Sequence, residues 1–243
     1  MKAKAWVVVV DMGYGHQRTA YPLRNSSVNQ KIIRANNYAG IPAQDKRVWH
    51  TTRFFYEFIS RFRKMPFIGE HLFQFMDSFQ KILVYYPRRD MSLPSFGLKR
   101  ISSFIKNGWG KDLIERLSKT RLPLVTTFFT AAFMAEHFNY PDDIYCIICD
   151  ADIARTWAPL DPKKSRIKYF VPNSWARDRL KLYGVKEENI FLTGYPLPKE
   201  NIGSEQMEIL KKDLGYRLIN LDPKGEYHKM YGPLLQGYLG KVP

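Results

Sequence analysis

The chain has 243 residues, 45% hydrophobic and 25% charged, enough apolar material for a packed core, which sets aside intrinsic disorder. No apolar run approaches the roughly 20 residues of a membrane-spanning helix, and the early run from Ala5 to Val10 is too short for the core of a secretory signal. Lys and Arg number 38 against 23 Asp and Glu, a net charge of +15, so an anionic partner is expected: a phosphorylated substrate, lipid headgroups or nucleic acid.

The first predicted element is a strand. Ala5-Trp6-Val7-Val8-Val9-Val10 is apolar and rich in β-branched residues, as suits a parallel strand covered on both faces. It runs into Asp11-Met12-Gly13-Tyr14-Gly15-His16, and a helix is expected from Gln17. Strand, glycine loop and helix form the opening unit of a doubly wound α/β sheet. Glycines there let a ligand approach the backbone, and the helix start offers free N–H groups to an anion. His16 titrates near neutrality and could act as a general base. The third position of a dinucleotide fingerprint is Arg18, so that motif is absent. A plain βα turn with a surface histidine reads the same residues equally well.

From Lys46 to Lys106 there are 12 basic and 4 acidic residues, and eight of the chain's 16 phenylalanines fall between Phe54 and Phe79. Phe54, Phe55, Phe58, Ile59 and Phe62 follow helical spacing, Pro66 interrupts, and Leu72 to Leu83 resumes it. The stretch from about 46 to 106 is therefore expected to be a helical insertion. Arg61, Phe62, Arg63, Lys64 and Phe67 are its candidate contacts with an anionic membrane; packing of the apolar side on a sheet is the other reading.

Alternation then returns. Strands are expected over Leu122–Phe128, Ile144–Cys149, Ile167–Val171 and Asn189–Thr193, with helices over Thr130–Phe138 and Ser174–Tyr183. Ser174 reads as the N-cap of the latter and Gly184 as its stop. Cys146 and Cys149 have Cys-x-x-Cys spacing but no second ligand pair, so buried core thiols in a reducing cytoplasm are expected and no metal site. Asp150 and Asp152 follow a buried strand, at the edge where such sheets bind ligands. They could orient a hydroxyl or share a proton, or simply form a solvated loop with Arg155. Asn173 and Ser174 are candidate substrate or phosphate contacts, with helix capping the simpler role. Gly194-Tyr195-Pro196 marks a sharp exit. The remaining 45 residues, Lys199–Pro243, are fewer than the ~100 of a typical second α/β domain. Helices are expected there over Ser204–Leu214 and, against Pro223, Gly232 and Pro233, over Tyr227–Leu239.

Taken in order, VVVVDMGYGHQRTA, CDADIARTW and FVPNSWARDRLKLYGVKEENIFLTGYPLP resemble the N-terminal domain of GT-B glycosyltransferases, in the group of monogalactosyldiacylglycerol synthases, processive diacylglycerol glucosyltransferases and the lipid II-forming enzyme MurG. The resemblance covers roughly residues 4–198; the basic aromatic stretch matches only in type. It implies a Rossmann-like parallel sheet, an acceptor domain over 1–198, and a linker or the start of a donor domain over 199–243. It implies transfer of a sugar from a nucleotide-sugar to a lipid-linked hydroxyl, inverting and without a bound metal, at the inner face of the cell membrane. His16 would be the base, Asp150 and Asp152 candidate catalytic acids, and Gly13, Tyr14 and Gly15 neighbours of acceptor and diphosphate. Tyr14 departs from relatives with a further glycine there, which alters the phosphate cradle. The donor-binding domain would be supplied in cis or in trans, and this chain alone is expected to be inactive and to bind no cofactor of its own. A nucleotide-sugar epimerase fragment, a non-catalytic lipid-binding domain and a nucleic-acid binder are the alternatives. Against the last, there is no recognition helix or RNA-binding aromatic signature.

Overall fold

The first strand, β1 (Ala5–Val9), places Val7 to Val10 at 2% exposure or less. The reason is that its two faces meet different layers: Val8 and Val10 join the main core, whereas Val7 and Val9 pack with Ala20. This is a computed structural model, describing residues 4–62 and 82–240, with side chains described for 4–54 and 82–240. Contacts within the chain divide it into two compact units, Met1–Tyr195 and Pro196–Pro243.

In the first unit, β1 is followed by α1 (Tyr14–Ala20), a 3-10 turn (Tyr21–Ser26) and β2 (Ser27–Arg34). Next come α2 (Ala43–Phe62), α3 (Phe96–Lys106), α4 (Lys111–Ser118), β3 (Leu124–Thr126), α5 (Phe129–His137) and β4 (Ile144–Ile147). The unit closes with β5 (Lys168–Val171), α6 (Ser174–Leu182) and β6 (Ile190–Leu192). All strand pairs are parallel, in the order β2-β1-β3-β4-β5-β6. This is a Rossmann-like α/β fold, as the alternating pattern predicts.

Right-handed crossovers explain the layering. The step from β1 to β2 runs one way along the sheet and those from β3 to β6 run the other, so their helices lie on opposite faces. The main core accordingly gathers Leu98 and Ile105 of α3, Leu113 and Ile114 of α4, Ala131 and Met134 of α5, and Ala176 and Leu180 of α6. The sheet supplies Leu124, Ile144, Cys146, Tyr169 and Val171 to the same face.

Several elements depart from the pattern read in the sequence. Strand β2 was hidden because SVNQKIIR is largely polar and its pairing is irregular: Ala5 pairs with Ser27 but Val7 with Ile32. Asn29 and Gln30 take positive φ within that bulge. Helix α1 starts at Tyr14, not Gln17. Helix α6 is capped by Asn173, whose Oδ1 accepts the Ala176 N–H at 2.8 Å; Ser174 is its first helical residue. The stretch 46–106 is not wholly appended. Trp49, Met91, Leu98 and Ile105 are core residues, so α3 and the start of α2 belong to the layer covering the sheet. The membrane-contact candidates Arg63, Lys64 and Phe67 lie outside the described residues, as do the side chains of Arg61 and Phe62 at the end of α2.

The second unit holds α7 (Glu208–Leu221) and α8 (Glu226–Leu239). Helix α7 sits later than expected, and α8 continues through Pro233, giving up the hydrogen bond that proline cannot donate.

The turn from α3 to α4 is closely packed. Gly110 has φ +85°, its N–H donates to the Asp45 carboxylate at 3.1 Å, and an added Cβ would lie 2.3 Å from Met134 Sδ. The left-handed backbone and overpacking act together, so Gly110→Ala is expected to destabilise the fold by about 2–4 kcal/mol, read as a lowered urea midpoint with unchanged slope.

Candidate functional site

The strand order reverses direction between β1 and β3, and chains leaving their carboxyl ends diverge there to open a crevice. His16 stands at that point. Its Nδ1 lies 2.9 Å from the carbonyl oxygen of Thr127, just beyond β3, and the Thr127 hydroxyl donates back to the His16 carbonyl at 3.1 Å. A carbonyl only accepts, so the proton sits on Nδ1, and Nε2 keeps its lone pair. The ring packs edge-on against Phe128 at 4.8 Å between centroids, with Trp157 at 6.4 Å. Burial lowers the pKa of His16 below 6.5, opposed by the Thr127 hydrogen bond and the charge of Asp150. The imidazole is therefore neutral at pH 7, as a general base requires.

The two strand-exit carboxylates have different surroundings. Asp150 lies near His16, and desolvation raises its pKa while the histidine's charge lowers it. Asp152 is held by Arg179 through Nε at 2.8 Å and Nη2 at 3.0 Å. Burial works against its charge, but hydrogen bonds from Arg179, the Trp175 side chain and the Ile153 N–H outweigh that, so its pKa is lowered. Asp150 is thus the acid placed with the histidine, and Asp152 is the anchor of a nearly buried guanidinium, since Arg179 is 2% exposed.

The thiols part company too. Cys146 is fully buried in the core, as expected, whereas Cys149 reaches the site with Sγ 3.1 Å from His16 Nδ1. Burial, then Asp150, pushes its pKa up to about 12. A protonated thiol beside a neutral imidazole is not an activated nucleophile.

Gly13 has extended backbone and Gly15 is helical; a Cβ at Gly13 would meet only His16 Cδ2 at 4.0 Å, and one at Gly15 nothing within 4 Å. Open space, rather than a strained turn, is what these glycines leave beside His16. No side chain caps the start of α1. Tyr14 is exposed, with the Arg18 guanidinium 5.5 Å over its ring. The loop is braced by residues the sequence did not advertise: Asp11 N–H donates to Asn36 Oδ1 at 3.0 Å, and Asn36 Nδ2 returns a bond to the Asp11 carbonyl at 3.2 Å. Tyr195 of the exit motif hydrogen-bonds Thr19 of α1 at 2.6 Å. Asn173, beyond capping α6, donates through Nδ2 to the Ala151 carbonyl at 3.0 Å, which ties the β4 and β5 exits together. Ser174 is exposed at the same edge.

Two further side chains could not be assigned a place from spacing. Arg155 is buried and donates to the carbonyls of Ser92, Ala158 and Pro159 at 2.6–2.9 Å, pinning the loop before α3 to the β4 exit. Trp175 stacks on Tyr85 at 4.2 Å with a 27° interplanar angle, although 40% of it remains exposed. A tryptophan two residues past a cap gives little signal of either contact.

The fold and the crevice together define a Rossmann-like domain with a neutral histidine at the sheet's switch point. Comparison with known proteins finds no matching family model, no matching curated protein and no matching solved structure.

The His16 arrangement has a direct spectroscopic consequence. In the folded chain the imidazole should titrate with a midpoint below 6.5 and, above it, carry its proton on Nδ1, both visible in nitrogen-15 spectra. Because folding depresses this pKa, the stabilising effect of the neutral ring is complete above 6.5 and is lost as pH falls through the folded-state value.

Proposed function

We propose that the first unit is the acceptor-side domain of an inverting glycosyltransferase. The observation that carries this reading is His16, neutral, with Nε2 unprotonated, beside Asp150 at the crevice between β1 and β3. An acceptor hydroxyl placed at Nε2 loses its proton to the ring as its oxygen attacks the anomeric carbon of a nucleotide-sugar. The new C–O bond forms on the face opposite the breaking bond to the diphosphate, so the configuration inverts. Asp150 then favours the imidazolium electrostatically until the proton leaves. The diphosphate is held by a donor-binding domain acting in cis or in trans, and Gly13 and Gly15 leave room for it to approach.

The acceptor is presented at an anionic membrane surface. Supporting this are Val84, Tyr86 and Leu93, 72%, 63% and 84% exposed, in the same stretch as Arg88 and Arg89. Exposed apolar side chains interleaved with cations suit a headgroup boundary, and the net charge of +15 has the matching sign.

Two measurements test these parts separately. Membranes from source cells overproducing the chain, which supply any partner domain, should transfer tritiated sugar from one of a panel of nucleotide-sugars into solvent-extractable lipid. His16→Ala should lower this by about a hundredfold or more, and equal labelling by the two would sink the assignment of the base. Separately, the purified chain should sediment with vesicles containing phosphatidylglycerol but not with phosphatidylcholine alone, and Arg88→Glu with Arg89→Glu should weaken that binding by about tenfold. Binding indifferent to lipid charge would count against the membrane surface.

A further inference from the structure

Trp175 is an exposed aromatic side chain that the structure holds unusually firmly. One face is stacked on Tyr85, itself 5% exposed, at 4.2 Å. The Arg179 guanidinium, which binds both oxygens of Asp152, lies 5.9 Å from the indole centroid and 5.2 Å from the Tyr85 ring. The Tyr85 stack and the Arg179 guanidinium thus hold a ring that is still 40% exposed. Folding alone gains little from immobilising a side chain that is not fully buried, but a ligand does, because the ordering cost is then met before binding.

The position of this ring matters as much as its rigidity. Trp175 is the second residue of α6, at the exit of β5, and the neighbouring exit of β4 carries Asp150-Ala151-Asp152. Asp152 binds the Arg179 guanidinium that lies over the indole, while Asp150 lies beside His16, and two residues of chain span at most about 7 Å. The Asn173 amide closes the short link by bonding Ala151. An apolar plate and a proton acceptor therefore share one sheet edge, on neighbouring strand exits.

We propose that Trp175 is the platform for a pyranose ring, so that the hydroxyl delivered to His16 belongs to a saccharide rather than to a simple lipid alcohol; this rests on the acceptor-domain reading above. One face of a pyranose is lined with C–H bonds, which meet the negative face of the indole, while its rim of hydroxyls turns to polar groups. Those available at this edge are the Asp150 carboxylate and the Ser174 hydroxyl. A carboxylate accepts and cannot donate, which suits hydroxyl groups better than the mixed edge of a nucleobase.

The test is saturation-transfer NMR on the wild-type chain with the methyl glycosides of glucose, galactose and N-acetylglucosamine, with uridine and adenosine in parallel. Ring protons of at least one glycoside should receive saturation, and that glycoside should shift the Trp175 indole N–H resonance in the wild type. Trp175→Ala should weaken its binding about tenfold or more, and Trp175→Phe less. The indole shift decides the matter without a variant if Trp175→Ala does not fold. The proposal is overturned if no glycoside binds, if binding leaves the indole resonance unmoved, or if only the nucleosides bind there. Saccharide binding through Trp175 would stand even if no transfer involving His16 were found. Labelled transfer to a simple lipid alcohol without saccharide binding would keep the His16 reading and overturn this one.

Discussion

Right-handed crossovers between parallel strands constrain nearly everything about this domain. Because the chain steps from β1 outward to β2 and later from β3 outward to β6, handedness sends the connecting segments to opposite faces. The two sets of loops then leave the sheet on opposite sides of the β1–β3 boundary. A residue at the exit of β1 and one at the exit of β3 become neighbours although 111 positions separate them, which is how His16 meets the Thr127 carbonyl. Val8 and Val9, facing the two different layers, are the packing that holds this boundary in place.

At that boundary a backbone group sets the chemistry of a side chain. The Thr127 carbonyl selects one imidazole tautomer, while the aromatic surroundings of Phe128 and Trp157 keep the ring uncharged. Two carboxylates two residues apart divide their labour: one is bound on both oxygens by Arg179, the other is left beside the ring. Strand alternation would put residues two apart on one face; the chain bends at 150–152, beyond β4, and that parts the two side chains. A single substitution at Asp152 would therefore disturb Arg179 and the Trp175 plate before it touched His16.

The core strands were legible because they are buried on both faces and so read as unbroken apolar runs, as in Val7–Val10 and Ile144–Ile147. The β2 strand was not, since an edge strand with a bulge and a polar sequence carries neither alternation nor an apolar run. His16 and Asp150 could be picked out because titratable residues after buried strands fall on the ligand-binding edge by topology. Asp152 carried the same signal yet went to an ion pair, since nothing local shows that Arg179, one helix later, reaches back to it. The Thr127 contact was invisible for a different reason: its working atom is a main-chain oxygen, which every residue has. Ser174 and Asn173 are both good capping residues, so composition does not choose between them; the structure does, through the Ala176 N–H bond to Asn173 Oδ1.

The thiol of Cys149 narrows what mutation can do at this position over time. Sulfur accepts hydrogen bonds weakly, so at 3.1 Å from Nδ1 it occupies space without competing with the Thr127 carbonyl for the proton. A serine hydroxyl there could donate to Nδ1 and reverse the tautomer, and an aspartate would draw the ring into its charged form. An alanine would keep the tautomer but leave the ring loosely packed. Few small residues preserve both the shape and the proton arrangement, so drift at position 149 is restricted by packing against His16 alone.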